Sequence, residues 1–405
     1  MRIELRGSHR GTETRRAVCA LAVLAACSGP PEPKVEARVP ARQVPAAPAP
    51  PAPPPARPRT ASPGEVGMSE GLIPALDAAM AAAIAERATP GGAIAVGRHG
   101  RVVVSRGYGR TDWAADAPAV TDSTLYDLAS LTKVVATTTA AMMLEERGQL
   151  DLDRPVASYL PGFHARITPR MLLTHTSGIR SNHHLYREVK GREAYLEHIL
   201  AKPLARPPGT RSVYDDWNMV ALQLVIERVT GQPLDRWVGE HVFAPLGLRD
   251  TRFNPPPALR PRIAPTEVQE FRGGKVWGEV HDENAWALGG VAGHAGLFSS
   301  ARDLAVFAGM LMNGGEHGGV RLLRPETVAR WTARQPGAST RALGWDTRPR
   351  AFGHMGFTGT SIWMYPDQGL FVILLTNRVN PTRENRKIGP LRAAVTGAVR
   401  RSIVR

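Results

Sequence analysis

Ser130 and Lys133 stand three residues apart in the run Tyr126-Asp-Leu-Ala-Ser-Leu-Thr-Lys-Val-Val-Ala-Thr-Thr138. If that run opens a helix, the spacing puts a hydroxyl and an amine on one helical face. A serine hydroxyl is a weak nucleophile until a neighbouring base takes its proton. An amine can be that base once burial or neighbouring charge has freed it of its own proton. The chain has only six lysines among its 51 Lys+Arg, and arginine does not deprotonate in a protein. The start of a helix suits this chemistry, because its free N–H groups and macrodipole favour developing negative charge. The bland alternative makes Ser130 a helix cap and Lys133 a solvated helix residue.

Two further stretches could complete the pair. Pro207-Pro-Gly-Thr-Arg-Ser-Val-Tyr-Asp-Asp-Trp-Asn218 offers Tyr214 and Asp216, which point the same way if the run is extended. A phenol beside a Ser/Lys pair can relay protons between nucleophile and leaving group. Asp216 could orient Lys133 or a substrate amide; equally, Asp215 or Asp216 could cap a helix running to Gly231. The segment Gly353-His-Met-Gly-Phe-Thr-Gly-Thr-Ser361 is punctuated by glycine, which lets backbone approach a ligand closely. Its N–H groups, around Gly356, could complete an oxyanion hole, and His354 could hydrogen-bond substrate.

The elements that position these groups can be read from periodicity. Ser69 can cap a helix carrying Leu72, Leu76, Met80 and Ile84, stopped by Pro90-Gly-Gly92. Residues 93–96 and 101–105 read as strands joined at Arg98-His-Gly100. Residues 360–365 and 370–376 read as strands around Pro366-Asp-Gln-Gly369, with a helix from Pro390. Between these ends, residues 133–147, 219–229 and 301–312 have helical periodicity. The fold class is α+β: one antiparallel sheet built from both termini, flanked by helices, with a helical region inserted.

The bulk properties set the compartment. Arg2, Arg6, Arg10, Arg15 and Arg16 precede a short apolar stretch from Ala17 to Ala26, too short to span a bilayer. It ends in Leu24-Ala-Ala-Cys-Ser28, which resembles a bacterial lipoprotein signal. That resemblance implies removal of residues 1–26 and acylation of Cys27, a lipid anchor holding the chain to a membrane of the cell envelope, facing the periplasm or exterior. Cys19 would go with the signal, so the mature chain could form no internal disulfide. Residues 27–63 are rich in Pro and Ala and read as an extended tether. Residues 64–405 are enough for one large core. The net charge is +15, but the arginines are scattered and no zinc-finger spacing or RNP-like run occurs, so no nucleic-acid partner is expected. The lack of an H-E-x-x-H motif removes one rival hydrolase class.

Taken together, the three motifs resemble the serine β-lactamase and penicillin-binding-protein superfamily, closest to its class C-like and esterase branch, over roughly residues 65–380. Connecting segments match as well: Leu150-Asp-Leu-Asp-Arg-Pro-Val-Ala-Ser-Tyr-Leu-Pro161, Leu172-Leu-Thr-His-Thr-Ser-Gly178, Phe243-Ala-Pro-Leu-Gly-Leu248 and Gly296-Leu-Phe-Ser-Ser-Ala-Arg-Asp-Leu304. The resemblance implies a β-lactamase/transpeptidase-like fold and a serine hydrolase that needs no cofactor. Ser130 would be the acylated nucleophile, Lys133 its base partner and Tyr214 a proton shuttle. The N–H groups of Ser130 and Phe357 would form the oxyanion hole. The substrate would be a small peptide, amide or ester related to the cell wall.

Two departures from that branch bear on mechanism. Asp216 stands where Asn is usual, and a carboxylate beside Lys133 favours its charged form. His354 stands where Lys often grips a substrate carboxylate; as a neutral imidazole it weakens recognition of penicillins and of free C-terminal D-Ala. A non-hydrolytic binding protein for cell-wall fragments, using the same cleft, is the alternative these departures leave open. The stretches Val280-His-Asp-Glu-Asn-Ala285 and Gly289-Gly-Val-Ala-Gly-His-Ala-Gly296 look like an envelope subgroup that includes muropeptide amidases and carboxypeptidase-like proteins. Through them His281, Asp282 or His294 could line the pocket. Their spacing fits no standard ligand set, so no metal is expected. His175 reads as a packed, hydrogen-bonded residue rather than a catalyst.

Overall fold

The computed structural model describes residues 59–404. Cys27, the expected leader and nearly all of the expected tether lie outside the described residues. The chain enters with helix α1 (Leu72–Ala85) and the hairpin β1 (Gly91–Arg98) and β2 (Arg101–Gly109). It leaves through β3 (Asp346–Arg348), β4 (Ala351–Met355), β5 (Ser361–Tyr365), β6 (Leu370–Thr376) and a last helix, Ile388–Arg401. These six strands form one antiparallel sheet in the order β3-β4-β5-β6-β1-β2. The two ends of the chain meet at its centre, where β1 and β6 pair from Gly92 against Thr376 to Arg98 against Leu370.

Both faces of the sheet are covered, which explains the near-continuous apolar runs of β1 and β6. Alternate residues Ile94, Val96, Val372 and Leu374 pack with Leu72, Leu76 and Met80 of α1 and with Leu391 and Val395 of the last helix. The residues between them, Ala93, Ala95, Ile373 and Leu375, belong to the main core with the inserted helical region. That region supplies α2 (Thr139–Glu146), α3 (Asp216–Thr230) and α4 (Ala301–Met312); the last helix is α5.

Several boundaries differ from expectation for identifiable reasons. Gly71, not Ser69, stands at the N-cap of α1; the Ser69 hydroxyl accepts from the Gly71 N–H at 3.1 Å, closing the turn before the helix. Residues 59–61, expected to belong to a tether, lie along β2: Val102 N donates to Arg59 O at 2.8 Å and Ala61 N to Val102 O at 3.0 Å. Within the glycine-punctuated stretch at 353–361, Gly353, His354 and Met355 belong to β4.

Candidate active site

The segment entering Ser130 is a tight turn. The buried Asp127 carboxylate accepts from Ala129 N at 2.8 Å and from His281 N at 2.6 Å. Ala129 sits at φ 47°, a left-handed conformation that costs a β-carbon residue about 1 kcal/mol or more. A 3-10 turn, Ala129–Leu131, then presents Ser130, and a wider π turn, Lys133–Thr138, follows before α2 begins. Turns of that kind recur at functional sites. Three side chains of this stretch hold the turn that carries His294 and the strand Leu297–Ser299 that follows it. Thr132 Oγ1 accepts from Leu297 N at 3.1 Å, Lys133 Nζ donates to His294 O at 3.1 Å, and Thr137 Oγ1 donates to Gly293 O at 2.7 Å.

Ser130, Lys133, Tyr214 and Asp216 converge. Lys133 Nζ donates to Ser130 Oγ at 2.8 Å, and Tyr214 Oη donates to the same oxygen at 2.9 Å. Lys133 is 0% exposed and pairs with Asp216 Oδ1 at 2.8 Å. The reason Asp216 is free to do this lies next to it: Asp215 is the cap of α3, accepting from Trp217 N at 2.9 Å, while Asp216 occupies the first helical turn. Burial on its own would depress the Lys133 pKa, but Asp216 and Tyr214 outweigh it and the pKa stands above the ordinary lysine value. Loss of hydration raises the Tyr214 phenol as well, opposed by the Lys133 cation. Asp216 is held below its ordinary value; burial would raise it, and Lys133 and His294 win. In the resting site Lys133 is therefore an ammonium and Asp216 a carboxylate.

Tyr214 is 40% exposed along the cleft, yet its ring is held from behind. His175 lies 4.8 Å from it and His354 5.9 Å, centroid to centroid, and the Arg341 guanidinium is 5.0 Å from its centroid. His175 sits at φ 54°, and its Nδ1 accepts from Asp215 N at 3.2 Å. Burial, then the Arg341 and Lys133 cations, keep it neutral. His354 does not line the cleft. It faces inward from β4, its Nδ1 lies 2.9 Å from Met355 O, and burial pushes its pKa down to about 4. Its place is behind Tyr214 rather than against a ligand.

The loop after β4 is pinned to the Ser130 turn. Thr358 Oγ1 donates to Asp127 O at 2.7 Å and Thr360 Oγ1 to Leu128 O at 2.9 Å. Gly356 is needed at this approach, since a Cβ there would overlap Thr360 Oγ1 and come within 2.5 Å of Leu128 O. Phe357 projects into the cleft, 49% exposed, and its carbonyl accepts from Arg378 Nε at 2.8 Å.

The cleft holds about 540 Å³. Its second wall is an ionic lattice beyond the reach of sequence spacing. His281 Nε2 lies 2.9 Å from Glu267 Oε2, Arg383 Nε donates to Glu267 at 2.6 Å, and Arg383 also bonds Glu283. Burial would raise the Glu267 pKa, but hydrogen bonds from His281 and Arg383 hold it down to about 2. The His281 ring stacks on Phe357 at 5.7 Å, and Phe271, 55% exposed, stacks on Tyr186 at 5.4 Å. The cleft thus joins a charged floor to an aromatic rim.

Asp282 caps the short helix Glu283–Ala287 through Ala285 N at 2.8 Å, and the same oxygen lies 2.9 Å from His294 Nε2. Donor atoms of Asp216, Asp282 and His294 all lie within 4.8 Å of one another. The cation beside Asp216 is the Lys133 ammonium, so the arrangement is read as an ion network and no metal centre is assigned.

The comparisons agree with this geometry. A family model described as Beta-lactamase matches residues 76–396. A protein of Salmonella paratyphi B named "Putative D-alanyl-D-alanine carboxypeptidase" is 34% identical over 315 residues, covering 67% of this chain and 73% of its own. Among solved structures, the octameric penicillin-binding protein homologue of Pyrococcus abyssi superposes with a TM-score of 0.67 at 24% identity, covering 82% of this chain and 79% of its own. The class C β-lactamase of Rhodobacter sphaeroides superposes with a TM-score of 0.65 at 23% identity, covering 82% and 99%. Two chain ends closing one sheet, a Ser/Lys/Tyr centre against the loop after β4 and a match over most of the length lead to one assignment: the chain belongs to the β-lactamase family.

Proposed function

We propose that this protein is a serine hydrolase that forms an acyl-enzyme at Ser130 and acts on a peptide, amide or ester derived from the cell wall. The observation that carries the reading is the double approach to Ser130 Oγ, by Lys133 Nζ at 2.8 Å and Tyr214 Oη at 2.9 Å. In the base-active form one of these two groups has lost its proton. It takes the Ser130 hydroxyl proton as Oγ bonds to the acyl carbon. The N–H groups of Ser130 and Phe357 are the proposed donors to the oxyanion. The proton then passes to the leaving nitrogen or oxygen as its bond to the acyl carbon breaks. Water repeats the sequence on the ester, giving up one proton to the same base and releasing the acid and free Ser130.

The cleft supports an uncharged acyl region beside the nucleophile. His354 is neutral and sits behind Tyr214, and Arg383 is committed to Glu267 and Glu283. The aromatic rim of Phe271 and Phe357 suits an apolar or sugar-linked portion of the substrate. Anchoring at the cell envelope through Cys27 is part of the same proposal and brings the site to cell-wall material.

The test is covalent labelling. A fluorophosphonate probe adds its mass to the wild-type domain and not to Ser130→Ala; equal labelling of the two would refute the reading. A panel of muropeptides, D-Ala-D-Ala peptides, nitrocefin and p-nitrophenyl esters then identifies the leaving group. The Lys133–Asp216 pair, which holds the amine in its charged form, favours a second reading, a penicillin- or fragment-binding protein without turnover. Labelling of Ser130 with no hydrolysis of any panel member would select it.

A further inference from the structure

In a centre of this type an extra carboxylate beside the lysine is a handicap. A partly buried negative charge 2.8 Å from Nζ tightens its hold on a proton that must leave before the amine can act. The structure places a second histidine–carboxylate pair against that charge. His294 reaches Lys133 with its backbone carbonyl, at 3.1 Å, and Asp282 with its ring, at 2.9 Å. Its donor nitrogen and the Asp216 and Asp282 oxygens share one space within 4.8 Å. His294 is 2% exposed and Lys133 0%, so water screens the charges on these two groups little.

We infer that His294, held by Asp282, is a positioning residue that offsets the Asp216 carboxylate and so sets how readily Lys133 gives up its proton. The inference rests on the serine-hydrolase reading of Ser130. With His294 protonated, the four groups Lys133, His294, Asp216 and Asp282 are balanced, two cations against two anions. With His294 neutral, one negative charge is left over beside Lys133. The charged groups facing the imidazole are Asp282 on its ring nitrogen, Asp216 from α3 and Lys133 from the turn before α2; the two carboxylates favour its protonated form and Lys133 opposes it. Burial works against that charge, and the direction that prevails is upward. Lys133 and His294 then titrate as a coupled pair. A proton on His294 loosens the proton on Lys133, and the free amine accepts the Ser130 hydroxyl proton. In this reading Asp216 and His294 are a matched set: Asp216 orients Lys133, and His294 cancels the charge that orientation introduces.

The experiment measures fluorophosphonate labelling of Ser130 against pH in wild type, His294→Gln, Asp216→Asn and the double variant. His294→Gln is expected to label about tenfold more slowly than wild type near pH 7, with the gap closing at higher pH as the wild-type imidazole loses its proton. Asp216→Asn in the His294→Gln background is expected to restore the neutral-pH rate, because the uncompensated charge is gone. A purely structural role for His294 predicts a gap that persists at every pH and a double variant no better than the single one. Either result overturns the inference. A second measurement needs no catalysis: an NMR titration of the His294 imidazole, assigned by its loss in His294→Gln. Asp216→Asn is expected to move that titration down by about one pH unit. An unmoved titration overturns the inference even if Ser130 labels normally. Failure of wild type to label at Ser130 instead defeats the hydrolase reading, so the two failures are distinguishable.

Discussion

Lys133 Nζ and Asp216 Oδ1 form an ion pair at 2.8 Å in which the lysine is wholly buried and the aspartate opens the first turn of α3. Buried charges of this kind are costly to separate: removing one partner leaves the other without compensation, at about 3–5 kcal/mol. Lys133→Ala is therefore expected to lose acylation by ~10³-fold and also to lower stability. Lys133→Ala/Asp216→Ala should recover part of that stability while remaining inactive. Urea midpoints of the single and double variants check the point; a double variant less stable than Lys133→Ala would refute the pairing argument.

The proposed acylation has a pH dependence of definite sign. Lys133 and Tyr214 both hold their protons above their ordinary values, Lys133 because Asp216 and Tyr214 outweigh burial, Tyr214 chiefly through burial. The base-active form is then a minor species at neutral pH that grows as pH rises. Labelling of wild type should climb continuously from pH 6 to pH 9, approaching about tenfold per unit where one group controls it. A rate that peaks and falls within that range would show that another group supplies the base.

Gly356 links packing to chemistry. A Cβ at this position collides with Thr360 Oγ1 and Leu128 O, the contacts that hold the loop bearing Phe357 against the Ser130 turn. Gly356→Ala should push that loop away and misplace the proposed Phe357 N–H donor. The expected loss is ~100-fold in acylation rate, carried in kcat rather than KM, because the oxyanion exists only in the transition state. Kinetics on an ester substrate decide it; a change confined to KM would move the oxyanion donor elsewhere.

The sheet from both termini and the identity of the central residues were legible because they depend on local signals. Alternation marks β1 and β6, and fixed spacing marks Ser130 and Lys133. Residue type marks Tyr214 and Asp216, although helix periodicity alone did not separate the cap, Asp215, from its functional neighbour. What could not be read is long-range. His294 O and Lys133 Nζ meet across 161 residues, and Arg383 and Glu267 across 116. No spacing rule pairs such groups; only the folded chain does. His354 shows a different failure. Residue type alone gave its side chain no direction and made it a candidate for substrate, whereas in β4 alternation turns it inward and leaves its neighbour Met355 38% exposed.

Stability should carry its own record of the His294–Asp282 pair. The His294 pKa is raised above its ordinary 6.5: burial lowers it, and Asp282 and Asp216 more than restore it. A group raised on folding stabilises fully below its unfolded value and loses that contribution as pH climbs through its folded value. The Asp282 pKa is depressed below 3.8; burial opposes this, and His294 with the Ala285 N–H prevails. Its contribution is present above 3.8 and is lost as pH falls through the lowered value. The pair therefore contributes most between those two ordinary values, and wild type should weaken as pH rises beyond 6.5. His294→Gln removes the group that titrates there and should be less stable than wild type at pH 6, with the difference shrinking toward pH 9. Urea midpoints across that range measure it. Parallel curves for the two proteins would mean that folding leaves the His294 pKa unshifted, and the ion network around Lys133 would have to be redrawn.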